Sequence, residues 1–370
     1  MRYTKIWRNA RPLTLLAVAA TTAMALGAAE PAAGRTSATP GPLIALLLPE
    51  NVTPRWESVD RPAFRKAVKQ LLPSARVDVL NAQNNPNTQM AQAATEIAKG
   101  ARVLVVAPID GKAFGAVAKR AVARNVKVIA YNRLISDAPI SSYVGFDGVS
   151  IGRAQGDWLE AHTKKGARIA IINGSATDPD AHLFNKGYMG VLNPLFRNGL
   201  RKRVGPAGGT WTPAWDPPTA QREMVQLLAE SNNGVDGVLS ASDGMVGGII
   251  AALKDEGMLG KVPVTGQDAS LSGVQNIILG TQGMTVLKDF RLQAPAAARA
   301  AVALAKGKKI PGTNRTIANG SGKRVPSIVL PVKPIDASNL DVLVRNGWIR
   351  QFLGGLKTVC KAMPRTSICK

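Results

Sequence analysis

A strand–loop–helix–strand pattern occurs twice in this sequence, and it limits the fold more than any other feature. The first copy spans residues 101–133, ARVLVVAPIDGKAFGAVAKRAVARNVKVIAYNR, and the second spans residues 235–268. In each copy, short apolar runs flank a helical stretch, which is typical of parallel strands buried on both faces of a sheet. Because the pattern recurs, we expect two units of the α/β class in one chain.

Polar side chains follow the apolar runs in both copies. Asn132 and Arg133 follow one run of the first copy; Ser242, Asp243 and Asp268 follow the runs of the second. Ligands of open parallel sheets bind just outside the carboxyl ends of the strands. Two such edges that face each other would form one cleft lined by hydrogen-bonding side chains.

The length of the chain also favours two domains. A chain of 370 residues exceeds what one hydrophobic core usually organises. Strands alternate with helices over residues 42–145, which predicts one doubly wound domain. A new helix near residue 152 and a strand near residue 168 indicate that a second domain follows a crossover.

The first 29 residues have the pattern of an export signal. Four cationic residues precede an apolar segment that is rich in alanine and short for a membrane span. We therefore expect a cleaved signal peptide over residues 1–29, in preference to a membrane anchor. Residues 30–41, rich in Ala, Pro and Gly, are expected to form a flexible leader.

The formal net charge of +23 raises the question of nucleic-acid binding. The basic residues are spread along the chain, and no helix-turn-helix, zinc-finger or RNA-binding signature accompanies them. A solvated basic surface is therefore favoured, since net charge bears on solubility and encounter rather than on fold. We expect no nucleic-acid partner.

Only two cysteines occur, Cys360 and Cys369, and both lie near the end of the sequence. In an exported protein, a disulfide that closes this short loop is favoured over two free thiols. Two cysteines are too few for a zinc site. We therefore expect no metal.

Enzymatic motifs are scarce. The only histidines are His162 and His182, and the sequence has no G-x-S-x-G elbow, no HExxH motif and no nucleotide-binding loop at a strand–helix turn. We expect no catalytic residue and no cofactor. A carboxylate pair such as Asp243 and Asp268 keeps an exported carbohydrate-active enzyme as an alternative.

The residues near the strand ends suit a sugar. Arginine, aspartate and asparagine form directional hydrogen bonds with paired hydroxyls, and the indole rings of Trp56 and Trp215 can stack on the apolar face of a pyranose. Apolar walls with a few placed polar groups are usual in small-ligand sites. A single Arg or Asp at a strand end is more often a helix cap or part of a surface ion pair. The prediction of a sugar site therefore depends on the combination of these residues.

At the level of motifs, the chain resembles the periplasmic sugar-binding proteins of ABC import systems, and among them the D-xylose-binding proteins. The matching stretches follow in order along the chain: Arg55-Trp56, AYNRLISDA at 130–138, LFNKGYMGVL at 183–192, TWTPAW at 210–215, ASDGMVGG at 241–248, TGQDASLSG at 265–273 and GTQGMTVLK at 280–288. The resemblance implies two Rossmann-like lobes with parallel sheets, joined by a three-segment hinge in the type I periplasmic-binding-protein fold.

The resemblance also implies a set of residues that contact the sugar. By motif position these are Arg55, Trp56, Asn132, Arg133, Asp178, Asp180, Trp215, Ser242, Asp268 and Lys288. Three of them depart from the pattern of the xylose-binding proteins. That family usually has Asp where this chain has Asn132, and Asn where it has Asp180 and Ser242. Because hydroxyl selectivity depends on where donors and acceptors lie, the match supports a sugar more strongly than it supports xylose.

The predicted function is capture of a monosaccharide, xylose or a related aldopentose, in the periplasm and its delivery to an ABC-transporter permease by a monomer. An exported chemotaxis receptor component is an alternative, with a chemoreceptor as its partner. A regulator of the lac-repressor type shares the architecture, but it needs an N-terminal DNA-binding headpiece where this chain has a signal and a leader.

The expected domain boundaries follow from the same pattern. The N-terminal lobe is predicted over 42–145 plus about 288–324, the C-terminal lobe over 146–287 plus about 325–350, and a C-terminal tail over 351–370. The lobes would rotate about crossovers near Phe146, Lys288 and Val325.

Overall fold

The computed structural model describes residues 40–361 and 368–369, so the predicted signal peptide and most of the leader lie outside the described residues. The strands are β1 (Leu43–Leu48), β2 (Arg76–Asn81), β3 (Ala101–Val106), β4 (Lys127–Tyr131), β5 (Ser142–Phe146), β6 (Arg168–Asn173), β7 (Lys202–Val204), β8 (Thr210–Trp211), β9 (Gly237–Ser240), β10 (Met284–Lys288), β11 (Arg315–Ala318), β12 (Arg324–Leu330) and β13 (Val332–Asp336).

The helices alternate with these strands. They are α1 (Arg61–Leu71), α2 (Pro86–Ala98), α3 (Ala113–Ala123), α4 (Gly148–Ala161), α5 (Pro179–Arg197), α6 (Pro217–Glu230), α7 (Asp243–Asp255), α8 (Leu271–Leu279), α9 (Phe290–Ala305), α10 (Asp341–Arg345), α11 (Trp348–Phe352) and α12 (Leu356–Val359), with a π-helical turn at Trp56–Asp60 and a 3-10 turn at Pro213–Trp215. No helix in the described part of the chain is long and apolar enough to cross a membrane.

The N-terminal lobe is built on a seven-stranded sheet in the order β11-β12-β5-β4-β3-β1-β2. Its strands pair in parallel except for β11, which lies antiparallel to β12 at one edge. Strand β1, which lies between β3 and the edge strand β2, reads LIALLL and is buried along its whole length, because helices cover both faces of the sheet. Helices α1 and α9 pack on one face, and α2 and α3 pack on the other.

The C-terminal lobe has a smaller parallel sheet with β6 at its centre. Strands β7 and β9 flank β6 over most of its length, and β8 pairs with the last two residues of β6. The apolar run at 262–265 contributes only a single bridge, between Val238 and Val264, in place of a full strand. An antiparallel pair, β10 with β13, continues beyond it.

Three crossovers join the lobes, and the third differs from the expected position. The chain leaves the first sheet after β5, returns to it after β10, and leaves it again between β12 and β13. The predicted position of the third crossover, near Val325, is wrong, because residues 327–330 still pair in parallel with β5 of the first sheet. The change of sheet falls at Pro331, which has no backbone N–H to give to either ladder. Residues 325–330 therefore belong to the N-terminal lobe.

The predicted C-terminal tail also differs from expectation, because α11 and α12 pack on the core of the C-terminal lobe. The indole of Trp348 is 2% exposed and donates to the carbonyl oxygen of Ala269 at 2.8 Å. Cys360 and Cys369 form a disulfide with their Cα atoms 5.5 Å apart, and both pack against the same core. The apolar residues after position 347 therefore make this segment part of the lobe.

Candidate functional site

A cavity of about 430 Å³ lies between the lobes, at the carboxyl ends of the strands of both sheets. The structure brings all ten residues of the predicted contact set to its walls: Arg55, Trp56, Asn132, Arg133, Asp178, Asp180, Trp215, Ser242, Asp268 and Lys288. The N-terminal lobe supplies the first four, and the C-terminal lobe supplies the others. The cavity therefore depends on both lobes for its shape.

Arg55 is held in the wall of the N-terminal lobe by contacts within the protein. Its Nε and Nη2 donate to the two carboxylate oxygens of Asp60 at 2.8 and 2.7 Å. Its Nη1 donates to Asn132 Oδ1 at 3.1 Å, and Nη2 also donates to Gln293 Oε1 at 2.6 Å. Burial, the largest single cause, acts to lower the pKa of Arg55, but the charge and hydrogen bonds of Asp60, together with Tyr131 and Asp268, raise it overall. The guanidinium therefore stays charged.

Trp56 lies beneath the cationic groups of this wall. Its ring centroid is 4.4 Å from the guanidinium carbon of Arg55 and 5.7 Å from that of Arg133. The indole N–H donates to Glu50 Oε1 at 2.5 Å, and the edge of the ring meets Tyr131. The buried ring therefore lies where it can help to hold both guanidiniums in place, and it also lines the cavity.

Arg133 and Asp178 connect the two lobes. Arg133 follows β4 in the N-terminal lobe, and its Nε lies 2.7 Å from Oδ2 of Asp178 in the C-terminal lobe. Asp178 also caps α5, where its Oδ1 accepts from the backbone N–H of Asp180 at 2.9 Å. Because Asp178 is 2% exposed and Arg133 is 6% exposed, this ion pair is shielded from solvent and depends on the closed arrangement of the lobes.

Trp215 forms an aromatic wall on the side of the C-terminal lobe. It lies in a left-handed backbone conformation with a φ of 59°, and its indole N–H donates to Asp178 Oδ2 at 3.2 Å. The edge of Phe184 meets it at 6.3 Å between ring centroids. The ring also covers Gly174, where a Cβ atom would lie 2.0 Å from it. The absence of a side chain at residue 174 therefore lets the indole reach the cavity.

Lys288 and Asp268 form the third ion pair of the cavity, at 2.8 Å. Lys288 ends β10 and is 5% exposed, and its ammonium group lies 5.7 Å from the ring of Phe184. Asp268 has a φ of 101°, a conformation that a non-glycine residue adopts only where the surroundings enforce it. Ser242 lines the cavity at the N-cap position of α7.

Two carboxyl groups of the cavity have raised pKa values. Burial, and after it the charge of Asp178, raises the pKa of Asp180 well above its ordinary value. Burial likewise raises the pKa of Asp243 to about 7, although Ser270, Gln282 and Thr285 all donate to this carboxyl.

Several residues around the cavity were not singled out from the sequence. Phe184 and Gln267 line it, while Asp60, Glu50 and Gln293 hold the residues that line it. Phe184 and Gln267 lie inside the matched motifs LFNKGYMGVL and TGQDASLSG. Membership of these motifs was the sequence signal that could have identified both residues. Gln293 lies in the alanine-rich α9, where nothing nearby in the sequence marks it. Among the described residues, no cluster of three or more metal-ligating side chains occurs.

Two doubly wound lobes joined by three crossovers, with a polar and aromatic cavity between their strand ends, define the type I class of periplasmic binding proteins. The chain belongs to the family of the periplasmic binding protein domain, whose model matches residues 44–309.

Known members of the family are similar over most of their length. The chain is 37% identical over 298 residues to the D-xylose-binding periplasmic protein of Escherichia coli (strain K12), and the alignment covers 80% of this chain and 88% of that protein. It is 34% identical over 350 residues to the multiple sugar-binding periplasmic receptor ChvE of Rhizobium radiobacter, and the alignment covers 90% of this chain and 98% of that receptor. A carbohydrate transporter solute binding protein from Chloroflexus aurantiacus, solved in complex with D-glucose, superposes with a TM-score of 0.77 at 31% identity, covering 84% and 97%.

Proposed function

We propose that this protein captures one monosaccharide in the periplasm and delivers it to an ABC-type sugar importer, with D-xylose or a related aldopentose as the favoured ligand. The observation that carries the proposal is the cross-lobe cavity, where guanidinium, carboxylate and indole groups from both lobes face one space. The names of the similar proteins add support, since they describe binding of D-xylose, of several sugars and of D-glucose.

Recognition would combine two kinds of contact. The ion pairs of Arg55, Arg133 and Lys288 keep oriented donors and acceptors in the cavity, and these can pair with adjacent hydroxyls of a sugar. The ring of Trp215 offers an apolar surface to the C–H groups of a pyranose. A sugar that touches both lobes would bind the closed arrangement more tightly than the open one, and this difference in affinity would stabilise the closed form. The closed form would then dock on the permease.

Calorimetric titration with a panel of sugars tests the proposal. We expect binding of D-xylose with one site per chain, and weaker binding of L-arabinose, D-ribose and myo-inositol. D-glucose differs from D-xylose only by a hydroxymethyl group at C5, so the ratio of the two affinities measures how strongly the cavity selects at that position. Failure of every aldose to bind would contradict the proposal.

The remaining parts of the proposal concern location, state and chemistry. We propose that the signal peptide over residues 1–29 is removed on export and that the mature protein is a monomer, which N-terminal sequencing and light scattering of the exported protein would test. We also propose that bound sugar leaves unchanged. Formation of product during incubation with the same panel would favour the carbohydrate-active enzyme instead.

A further inference from the structure

Asp180 differs from the other charged residues of the cavity because, among the described residues, its side chain forms neither an ion pair nor a hydrogen bond. It is the second residue of α5, and its backbone N–H donates to Asp178. The side chain is buried, with 7% of the residue exposed, and Oδ1 has no hydrogen-bond donor within the part of the chain that the structure describes. A buried carboxyl oxygen without a donor is rare and costly unless a ligand completes it.

Among the described residues, the cations of the cavity donate no hydrogen bond to Asp180, and each lies against another carboxylate. Arg55 pairs with Asp60 at 2.7 Å, Arg133 with Asp178 at 2.7 Å and Lys288 with Asp268 at 2.8 Å. The nearest acid to Asp180 along the chain is Asp178, and its carboxylate is already paired with Arg133.

Charged and titratable groups face Asp180 from several elements. Asp178 approaches from the start of its own helix, Arg55 from the turn after β1, Arg133 from the end of β4 and Lys288 from the end of β10. Tyr143 of β5 is also close, but its hydroxyl donates to the carbonyl oxygen of Asn132 at 2.8 Å. Burial and Asp178 raise the pKa of Asp180 by more than the three cations lower it.

We propose that Asp180 works in this site as a neutral carboxylic acid that donates a hydrogen bond to an oxygen of the bound sugar, so that sugar affinity falls when Asp180 ionises. The inference rests on the proposed function above. A neutral carboxyl has one O–H donor, whereas an ionised one can only accept. Every sugar oxygen, including the ring oxygen, can accept that bond. Ionisation would remove the donor and place a second negative charge beside Asp178.

The test compares the wild-type protein with Asp180→Asn. The amide is neutral at every pH in the experiment and also donates, so it imitates the neutral acid at nearly the same size. The Asp180 side chain accepts no hydrogen bond from the residues that the structure describes, so the variant is expected to fold. Calorimetric titration with D-xylose, or with the tightest aldose of the panel, would run in steps from about pH 5.5 to about pH 9.

We expect the wild-type affinity to fall by about tenfold or more over this range, as expected when a buried hydrogen bond is lost and its carboxyl becomes charged. The affinity of Asp180→Asn should change by less than about threefold. Asp243 also titrates near the cavity, but it is present in both proteins and contributes to both profiles. The difference between the profiles therefore isolates Asp180.

Proton uptake on binding gives a second measurement. Titrations at one alkaline pH in two buffers of different ionisation enthalpy should show that the wild-type protein takes up a proton as sugar binds. Asp180→Asn should take up less. Asp180→Ala, which removes the donor, should bind at least about tenfold more weakly than Asp180→Asn at acidic pH.

Three results would overturn the inference: a wild-type affinity that is constant or rises with pH, an equal decline in Asp180→Asn, or loss of binding in folded Asp180→Asn at acidic pH. The last result would identify Asp180 as a charged acceptor. Absence of sugar binding by the wild-type protein at acidic pH would instead contradict the proposed function.

Discussion

The three cations of the cavity illustrate how a buried polar site is kept in position. Arg55, Arg133 and Lys288 each lie against a carboxylate, and removal of either member would leave a buried charge without a partner. A substitution at these residues would therefore disturb folding as well as binding. The aromatic residues give cleaner tests, since their contribution is mostly contact area.

Trp215→Ala tests the contribution of the aromatic wall. We expect it to weaken sugar binding by about tenfold or more, because it removes the aromatic wall, while the fold remains. Trp211→Ala is the matched control: this indole lies close by in the sequence and packs against His182, away from the residues that line the cavity. Calorimetry on both variants measures the difference. Equal affinities in Trp215→Ala and the wild-type protein would remove Trp215 from the site.

A second prediction concerns Asp243 and the pH dependence of stability. Its pKa of about 7 in the folded protein lies above the value of about 3.9 in an unfolded chain, so the folded state binds more protons between these values. The free energy of unfolding should therefore fall as pH rises from about 4 to about 7, by up to about 4 kcal/mol from this group.

Denaturant unfolding at several pH values would measure this effect. Asp243→Asn cannot ionise, so its stability should decline less than that of the wild-type protein across the same range. Asp255→Asn, at the exposed end of the same helix, serves as the control and should follow the wild-type curve. If Asp243→Asn shows the same decline as the wild-type protein, the pH dependence arises elsewhere.

At the scale of elements, the run VPSIVLPV at 325–332 shows what the sequence does not reveal. It reads as one extended apolar stretch, and nothing in its composition tells which sheet will pair with it. Pairing with β5 is a long-range choice that depends on the free edge of the first sheet. The chain then enters the second lobe one residue after Leu330. Register and the choice of partner strand are decided by tertiary contacts. The local sequence pattern therefore predicted the third crossover near Val325, several residues before its position in the structure.

The C-terminal segment is expected to stabilise its lobe through the disulfide. The bond between Cys360 and Cys369, which are separated by 9 positions, lies against the core around Trp348. The double variant Cys360→Ser/Cys369→Ser should lose about 2 kcal/mol of stability, and its melting temperature should fall by a few degrees.

Differential scanning calorimetry on the double variant and on the reduced wild-type protein should give matching midpoints. Sugar affinity should change by less than about threefold. Gln275 links this segment to the cavity, because it lines the cavity and donates to the carbonyl oxygens of Thr358 and Val359. A large loss of affinity would show that the segment positions the cavity as well as stabilising the lobe.

For the whole molecule, the repeated strand–helix pattern predicted the two lobes, because buried parallel strands leave a strong local signal. The ten cavity residues could be named because they lie at strand ends or in motifs shared with the family. Residues such as Gln293 could not, because its contacts with Arg55 and Asn132 join positions far apart in sequence. The unpaired state of Asp180 likewise emerges only when every neighbouring carboxylate and cation has been placed.

Closure of the lobes gives the last prediction. The shielded Arg133–Asp178 pair spans both lobes, so the described arrangement is a closed one, and a sugar that touches both lobes should favour it. Small-angle X-ray scattering should give a larger radius of gyration without sugar, and a smaller one at saturating sugar that fits the described structure.

Trp215→Ala is a matched control for this contraction. At a sugar concentration that saturates the wild-type protein but not the weaker variant, the variant should contract only in part, and it should contract fully when more sugar is added. Full binding by calorimetry without any contraction would mean that sugar enters lobes that are already closed. The three crossovers would then hold the lobes together without acting as a hinge.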